Sequence, residues 1–170
     1  KVRNSNSYYL KSFLKNLPIT FKEKTILRDT DLIKFKKEIK NNLNSKTDIV
    51  ITSGAVSAGK FDFVPNVIKK FKLKDAFRGV AIRPGKPIMF AKFEKNMIFF
   101  GLPGNPLSSA ACFRFFVLPF LYLSVGMDSN ISIVAKIKNN FTKKKNLTRF
   151  IKGKLSFSNK GLVEFIIFDG

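Results

Sequence analysis

Ile49-Val50-Ile51-Thr52-Ser53-Gly54-Ala55-Val56-Ser57-Ala58-Gly59 decides the fold. Three consecutive branched aliphatic residues enter a run of small ones, which suits a buried parallel strand that ends in a tight loop before a helix. No Gly-Lys-Ser or Gly-Lys-Thr follows, so the loop is not of the Walker type. Downstream, helical spacing appears around residues 63–71. Strand-like segments at 77–82 and 88–93 flank Pro84-Gly85-Lys86-Pro87, and a further strand at 97–100 follows the Glu94-Lys95-Asn96 turn. Residues 107–125 are a long apolar helix, with Pro106 in its first turn behind Asn105 and Gly126 just past its end. Upstream, Tyr9, Leu10, Phe13, Leu14 and Leu17 recur at helical spacing until Pro18. Residues 19–27 read as a strand region. Asp29 or Asp31 can cap a second helix that puts Leu32, Phe35, Ile39 and Leu43 on one face.

This alternation predicts an α/β domain over residues 1–126, a doubly wound and mostly parallel sheet with helices on both faces. After Gly126 helix signals stop. Residues 131–137, 147–157 and 162–168 are strand-like, and residues 127–170 are expected to begin a small β domain left incomplete at Gly170.

Composition narrows the chemistry. The chain has 170 residues, 45% of them apolar, with 20 Phe, which is enough for a substantial core. One Cys and no His exclude a disulfide scaffold, a structural zinc site and His-based triads, leaving hard cations held by carboxylates or phosphate. The formal charge of +21, from 32 basic and 11 acidic residues, suits an anionic partner. Only Arg3, Arg28, Arg78, Arg83, Arg114 and Arg149 are arginines, and the lysines are spread along the whole chain. Lysine-only affinity for nucleic acid is sequence-independent and salt-labile, so no specific nucleic-acid partner is expected. Lys1 opens a polar segment without a signal-peptide core, and the sequence is expected to start inside a longer protein. Arg114, Pro119, Ser108, Ser109 and Ser124 interrupt the 107–125 stretch. That favours a buried or interface helix over a membrane span, in a cytosolic protein.

Four loops fall where strands should end: Arg28-Asp29-Thr30-Asp31, residues 52–62, residues 83–87 and residues 101–106. Ligands of open α/β sheets bind at the carboxyl ends of strands, so these loops can converge on one site. Thr52, Ser53, Gly54 and Ser57 offer amides and hydroxyls to a phosphate or a pterin ring, or simply make a tight turn. Pro103, Gly104 and Asn105 present the amino end of the long helix, which favours an anion, and Asn105 equally serves as its cap. Arg83, Pro84, Gly85 and Lys86 hold two cations on a stiff loop, fitting an oxyanion clamp or an ordinary basic turn. Asp29 and Asp62 could share a divalent cation or cap helices.

Four stretches together resemble the molybdopterin molybdenumtransferase family, MoeA and the E domain of gephyrin. They are Val2-Arg3-Asn4-Ser5-Asn6-Ser7-Tyr8, the stretch Thr52-Ser53-Gly54-Ala55-Val56-Ser57-Ala58-Gly59-Lys60-Phe61-Asp62-Phe63, Val80-Ala81-Ile82-Arg83-Pro84-Gly85-Lys86-Pro87, and Phe100-Gly101-Leu102-Pro103-Gly104-Asn105-Pro106. The resemblance implies a molybdopterin-binding domain followed by the start of a C-terminal β-barrel domain. It implies further domains upstream, with Thr-Gly-Asp-Glu-Leu just before the position of Lys1. It implies insertion of molybdate into adenylated molybdopterin with release of AMP, Mg2+ as cofactor, and a homodimer. By motif, Asp29 and Asp62 match the functional carboxylates, Arg83 the basic residue before Pro-Gly-Lys-Pro, and Ser108 the serine after the Pro-Gly-Asn-Pro turn. Two positions depart from the family pattern. Ala55 replaces the second Gly of Ser-Gly-Gly, and Lys152 stands in Phe150-Ile151-Lys152-Gly153-Lys154-Leu155 where an oxyanion-binding Arg is usual. A point charge there replaces a fork. The alternatives are a molybdopterin adenylyltransferase or competence-damage type of enzyme, which lack the β tail, and a non-catalytic pterin-binding scaffold.

Overall fold

The structure, a computed structural model, describes residues 5–24, 31–56, 63–128, 133–138, 141–142, 146–157 and 163–168. Helices α1 (Ser5–Leu14) and α2 (Leu32–Asn44) precede strand β1 (Ile49–Ser53), and the short helix α3 (Val64–Ile68) follows it. Strands β2 (Leu73–Arg78), β3 (Ile82–Arg83), β4 (Met89–Phe93) and β5 (Ile98–Leu102) come next. A continuous rod then runs through α4 (Pro106–Cys112), a π-helical turn (Phe113–Val117) and α5 (Leu118–Ser124). Strands β6 (Lys136–Ile137), β7 (Thr148–Arg149), β8 (Gly153–Phe157) and β9 (Val163–Ile167) complete the order.

The main sheet runs β1-β5-β4-β2 and carries a separate apolar cluster on each face. Strand alternation explains the division. Ile49 and Ile51 pack on the side of α1 and the long helix with Phe113, Val117 and Leu121, while Val50 packs on the side of α2 and α3 with Phe35, Ile39 and Ile68. The α/β class with helices on both faces is therefore what the chain adopts. Its parallel character, however, is confined to β1 and β5; β5 with β4 and β4 with β2 are antiparallel. Only Glu94, Lys95, Asn96 and Met97 separate β4 from β5. A parallel connection needs a crossover of a dozen residues or more, so this turn can only make a hairpin. Asn96 closes it at φ 64°.

Residues 19–24 form no strand. Glu23 is hydrogen-bonded to Lys11 and Ser7 of α1, which hold its carboxyl below the usual range. That polar anchoring replaces sheet pairing; the remainder of the expected 19–27 strand lies outside the described residues. In α2, Phe35 and Ile39 are buried as the periodicity requires, whereas Leu32 at its first position is exposed.

Pro106–Ser124 is long and apolar enough to cross a membrane by length and composition. Ser109, Cys112, Phe113, Val117, Leu118 and Leu121 on it are buried in the protein instead. Pro119 has no N–H to donate one turn back and its ring crowds that carbonyl. Ahead of it the Leu118 amide reaches the Phe113 carbonyl, a π-type bond that carries the rod past the proline. With no Trp and only three Tyr in the chain, aromatic packing falls mainly to phenylalanine. Phe100 meets Phe90 and Phe120 edge-on at 5.4 and 5.6 Å, and on the other face Phe35 meets Phe63 and Phe99 at 5.6 and 6.4 Å. Such pairs contribute about 0.5–1.5 kcal/mol each beyond area burial.

Strand β3 pairs in parallel with β7, and β6, β9 and β8 form a separate three-stranded sheet. Within the stretches expected to be strands, the described residues pair only as these shorter segments. Phe99, fully buried at the centre of the main sheet, tests the packing. Phe99→Ala should lower unfolding free energy by about 3–5 kcal/mol, read from urea titration; a loss below about 1 kcal/mol would contradict the described core.

Candidate functional site

Parallel pairing in register from Ile49↔Ile98 to Ser53↔Leu102 brings β1 and β5 to an end side by side. The pairing extends by one bond, Gly54 N to Leu102 O at 2.9 Å, so the loops after both strands emerge together. Gly101 makes this possible. A Cβ there would stand 2.7 Å from Cγ1 of Val56, which folds back over β5 and is almost fully buried. Because β4 is antiparallel, its amino end lies beside Gly101, and the loop that precedes it, residues 83–87, arrives at the same edge.

The three loops are tied by specific bonds. Asn6 on α1 donates from Nδ2 to Ser53 Oγ and to the Gly104 carbonyl at 3.0 Å, cross-linking the two loops. Ser53 Oγ also donates to the Pro103 carbonyl at 3.5 Å. Asn105 caps α4, its Oδ1 accepting from Ser108 N at 3.1 Å, and Pro106 occupies the first turn as expected. On the other side of α4, Cys112 Sγ donates to the Gly85 carbonyl at 3.3 Å. A Cβ at Gly85, whose φ is 111°, would sit 2.5 Å from that sulfur and 3.6 Å from the Ser108 carbonyl. The basic loop thus packs directly on the helix that the other two loops meet end-on. Burial pushes the Cys112 thiol up to about 12, so it serves as a neutral donor and not as a nucleophile.

Of the residues singled out in the sequence, Thr52, Ser53, Gly54, Pro103, Gly104 and Asn105 converge at the sheet edge, Ser108 lies in the first turn of α4, and Gly85, next to Pro84, packs against that helix. Arg83 and Lys86 are exposed, their charges facing outward from a loop whose backbone is fixed by Val80 N to Lys86 O and Phe150 N to Arg83 O, both 2.9 Å. Lys152, also exposed, follows Phe150 by two residues and accepts through its carbonyl from Phe168 N in the tail sheet. Asp29, Ser57 and Asp62 lie outside the described residues. Asn6 is a site residue to which the sequence reading gives no role, although it lies in the Val2 to Tyr8 stretch that carries the family resemblance.

Thr52 lies on the α2 and α3 side of β1, opposite Ser53. Its Oγ1 is buried and has no hydrogen-bond partner among the described residues, an uncompensated polar atom beside the loop cluster. The described part of the site offers hydroxyls, amides and two lysine or arginine charges, which suit phosphate, pterin and oxyanion oxygens. Among the described residues no group of three or more Asp, Glu, Cys or His could hold a metal ion. A magnesium assignment therefore rests on Asp29 and Asp62.

Ala55 has a structural consequence. It adopts φ 54° directly after Gly54 at φ 101°, so two successive residues of the loop are left-handed. An L-residue with a Cβ pays for that conformation at roughly 1 kcal/mol, where glycine does not. Ala55→Gly should raise unfolding free energy by about 0.5–1 kcal/mol, measured by thermal or urea unfolding; a loss of stability would show that the methyl group, and not backbone strain, governs this position.

Residues 1–122 match the family described as "Probable molybdopterin binding domain". The chain is 31% identical over 165 residues to the molybdopterin molybdenumtransferase of Synechocystis sp., covering 96% of this chain and 39% of that protein. It is 33% identical over 163 residues to the molybdopterin molybdenumtransferase of Staphylococcus aureus strain Mu50, covering 95% and 38%. The chain thus spans about two fifths of the length of the curated relatives it matches. Among solved structures, the molybdopterin biosynthesis MoeA protein of Pyrococcus horikosii aligns with a TM-score of 0.58 at 26% identity, over 83% of this chain and 32% of that one. A molybdenum cofactor biosynthesis protein of Pyrococcus furiosus aligns with a TM-score of 0.69 over 98% of this chain and 52% of that one, and at 18% identity it speaks for the fold. With residues 1–122 of 170 inside the match, and the loops of that region gathered at one sheet edge, the chain belongs to the molybdopterin-binding domain family.

Proposed function

We propose that this chain forms the pterin-binding and oxyanion-handling part of a molybdopterin molybdenumtransferase, which inserts molybdate into adenylated molybdopterin and releases AMP. The observation that carries this reading is the meeting of two loops at the amino end of α4 and of the basic loop against the body of the same helix, in a chain that aligns over 96% of its length with a relative of that name. That alignment runs through the tail beyond residue 126, which favours the transferase over adenylyltransferase-like enzymes confined to the α/β domain.

The roles follow from chemistry. Ser53, Gly54 and Thr52 offer hydroxyls and an open backbone to the pterin. The amino end of α4, with Pro103, Gly104, Asn105 and Ser108, offers amide donors and a favourable dipole to its terminal phosphate. Arg83 and Lys86 on the stiffened loop, with Lys152 of the tail, attract the molybdate anion, and Ser57 is assigned with Ser53 to the pterin. Asp29 and Asp62 are the carboxylates assigned to Mg2+, which offsets phosphate charge when bound. The chain's own contribution is positioning and electrostatics, since it brings no activated nucleophile to the described site. The same reading places the protein in the cytoplasm, as a homodimer.

Two measurements test it. Thr52→Val removes a buried hydroxyl with no hydrogen-bond partner among the described residues, so stability should hold or rise while molybdopterin affinity falls about tenfold. A marked loss of stability with unchanged affinity would remove Thr52 from the site. In the full-length protein, Asp62→Asn and Arg83→Ala should each leave molybdopterin binding largely intact and lower molybdate-dependent AMP release, Asp62→Asn by on the order of a hundredfold. If both variants released AMP at the original rate with pterin bound, these roles would be wrong.

A further inference from the structure

The basic loop is gripped at two points from one helix. Arg83 lies in β3, only two residues long, and a strand pair that short does not hold itself together in water. Its partner β7 adds Thr148 N to Ala81 O and Phe150 N to Arg83 O, both at 2.9 Å. Immediately after β7, the Phe150 ring stacks on Phe115, with centroids 3.9 Å apart and planes 7° from parallel. Phe115 is half exposed and belongs to the π-helical turn of the long helix, so this contact joins the helix to the strand that carries Arg83. Three residues earlier on the same helix, Cys112 donates to the Gly85 carbonyl at 3.3 Å. The glycine permits that approach, because any Cβ there would lie 2.5 Å from the sulfur.

We propose that Phe115 and Cys112 are positioning residues for the basic loop, Phe115 holding Arg83 through Phe150 and β7, and Cys112 holding Gly85 directly. The inference rests on the reading of Arg83 and Lys86 as the oxyanion-binding pair. Cys112 and Phe115 belong to one continuous helical rod, so a single element sets the loop at both ends. The amino end of that same helix is the proposed phosphate site. The distance between the anion-binding amides and the two cations is then fixed by one rod and not by two independent loops. Neither side chain touches the bound molecules; each acts through the backbone of residues 83–85.

Amide hydrogen exchange on the 170-residue chain reads the grips directly. In Phe115→Leu, exchange at Thr148 and Phe150 should accelerate at least tenfold while Ile98 to Leu102 in β5 keep their rates, and Phe115→Tyr, which preserves the stack, should restore protection. Phe150→Leu breaks the same stack from the other side and should reproduce the effect. Cys112→Ala should accelerate Ile88 and Val80, whose amides bond Gly85 O and Lys86 O, and Cys112→Ser, which keeps a donor, should do so less. Unchanged exchange, or acceleration spread equally into β5, would overturn the proposal. In the full-length protein titrated with sodium molybdate, Phe115→Leu should raise the molybdate KM about tenfold with molybdopterin affinity unchanged. A loosened loop with an unchanged molybdate KM would overturn the assignment of Arg83 and Lys86 to the oxyanion while leaving the two grips standing.

Discussion

The parallel pairing of β1 with β5 is the constraint on which the rest of the molecule depends. Two strands that run the same way and stop together deliver two loops to one edge, and here both stop within a residue of each other, at Ser53 and Leu102. Each strand is followed by small residues, so the loops approach closely: the Cα of Gly54 lies 3.5 Å from where a Cβ on Gly104 would be. Asn6 can then reach both with a single side-chain amide. Gly101 is as much a part of this arrangement as the hydrogen bonds, since Val56 occupies the space a side chain there would need. Both faces of the pair are buried, which fixes register, because a slip by one residue would exchange Val50 for Ile51 across the sheet.

The antiparallel strand β4 supplies what a purely parallel sheet would not. Its amino end lies at the site edge, so the excursion from β2 to β4 passes that edge and presents Arg83 and Lys86 there. This was readable in principle, because a four-residue link between strands cannot cross over. Alternation of helical and strand-like segments suggested a mostly parallel sheet only because it weighs element types and ignores link lengths. Other parts were plainly legible. The apolar spacing of α2, the aliphatic entry into Thr52 and Ser53, and the Asn105-Pro106 start of the long helix are all local signals, and local geometry follows them. The 19–24 segment was not, since Glu23 is engaged by Lys11 and Ser7 from a helix more than ten residues away.

Charge and composition divide along the same line. The net charge of +21 does not locate the site, because most lysines sit on exposed helix and loop positions such as Lys34, Lys36, Lys37 and Lys40 of α2. What distinguishes Arg83 and Lys86 from those helix lysines is their place, on a loop held against α4 at the end of the sheet where the other loops gather, by Val80 on one side, Phe150 on the other and Cys112 below. An exposed cation on a mobile loop loses much of its attraction to ordering entropy; one on a fixed backbone loses only side-chain freedom. The abundance of Phe has a similar double reading. Twenty phenylalanines announce a core, yet Phe115 is half exposed and stacks on Phe150 at the margin of that core.

The bonds that assemble the site explain why its parts could be read and its assembly could not. Leu102, Pro103, Gly104, Arg83 and Gly85 all contribute as acceptors through their backbone carbonyls. A carbonyl is present at every residue, so sequence marks the donors, Asn6, Ser53 and Cys112, without marking whom they meet. Glycine is the exception, because close approach or a positive φ selects it. Gly85 and Gly101 are therefore two places where the tertiary arrangement does leave a trace in the sequence. Ala55 shows the converse. A non-glycine residue with φ 54° directly after Gly54 accepts local strain while the surrounding contacts, Val56 against β5 and Ala55 O accepting from Val64 N, hold the turn in place.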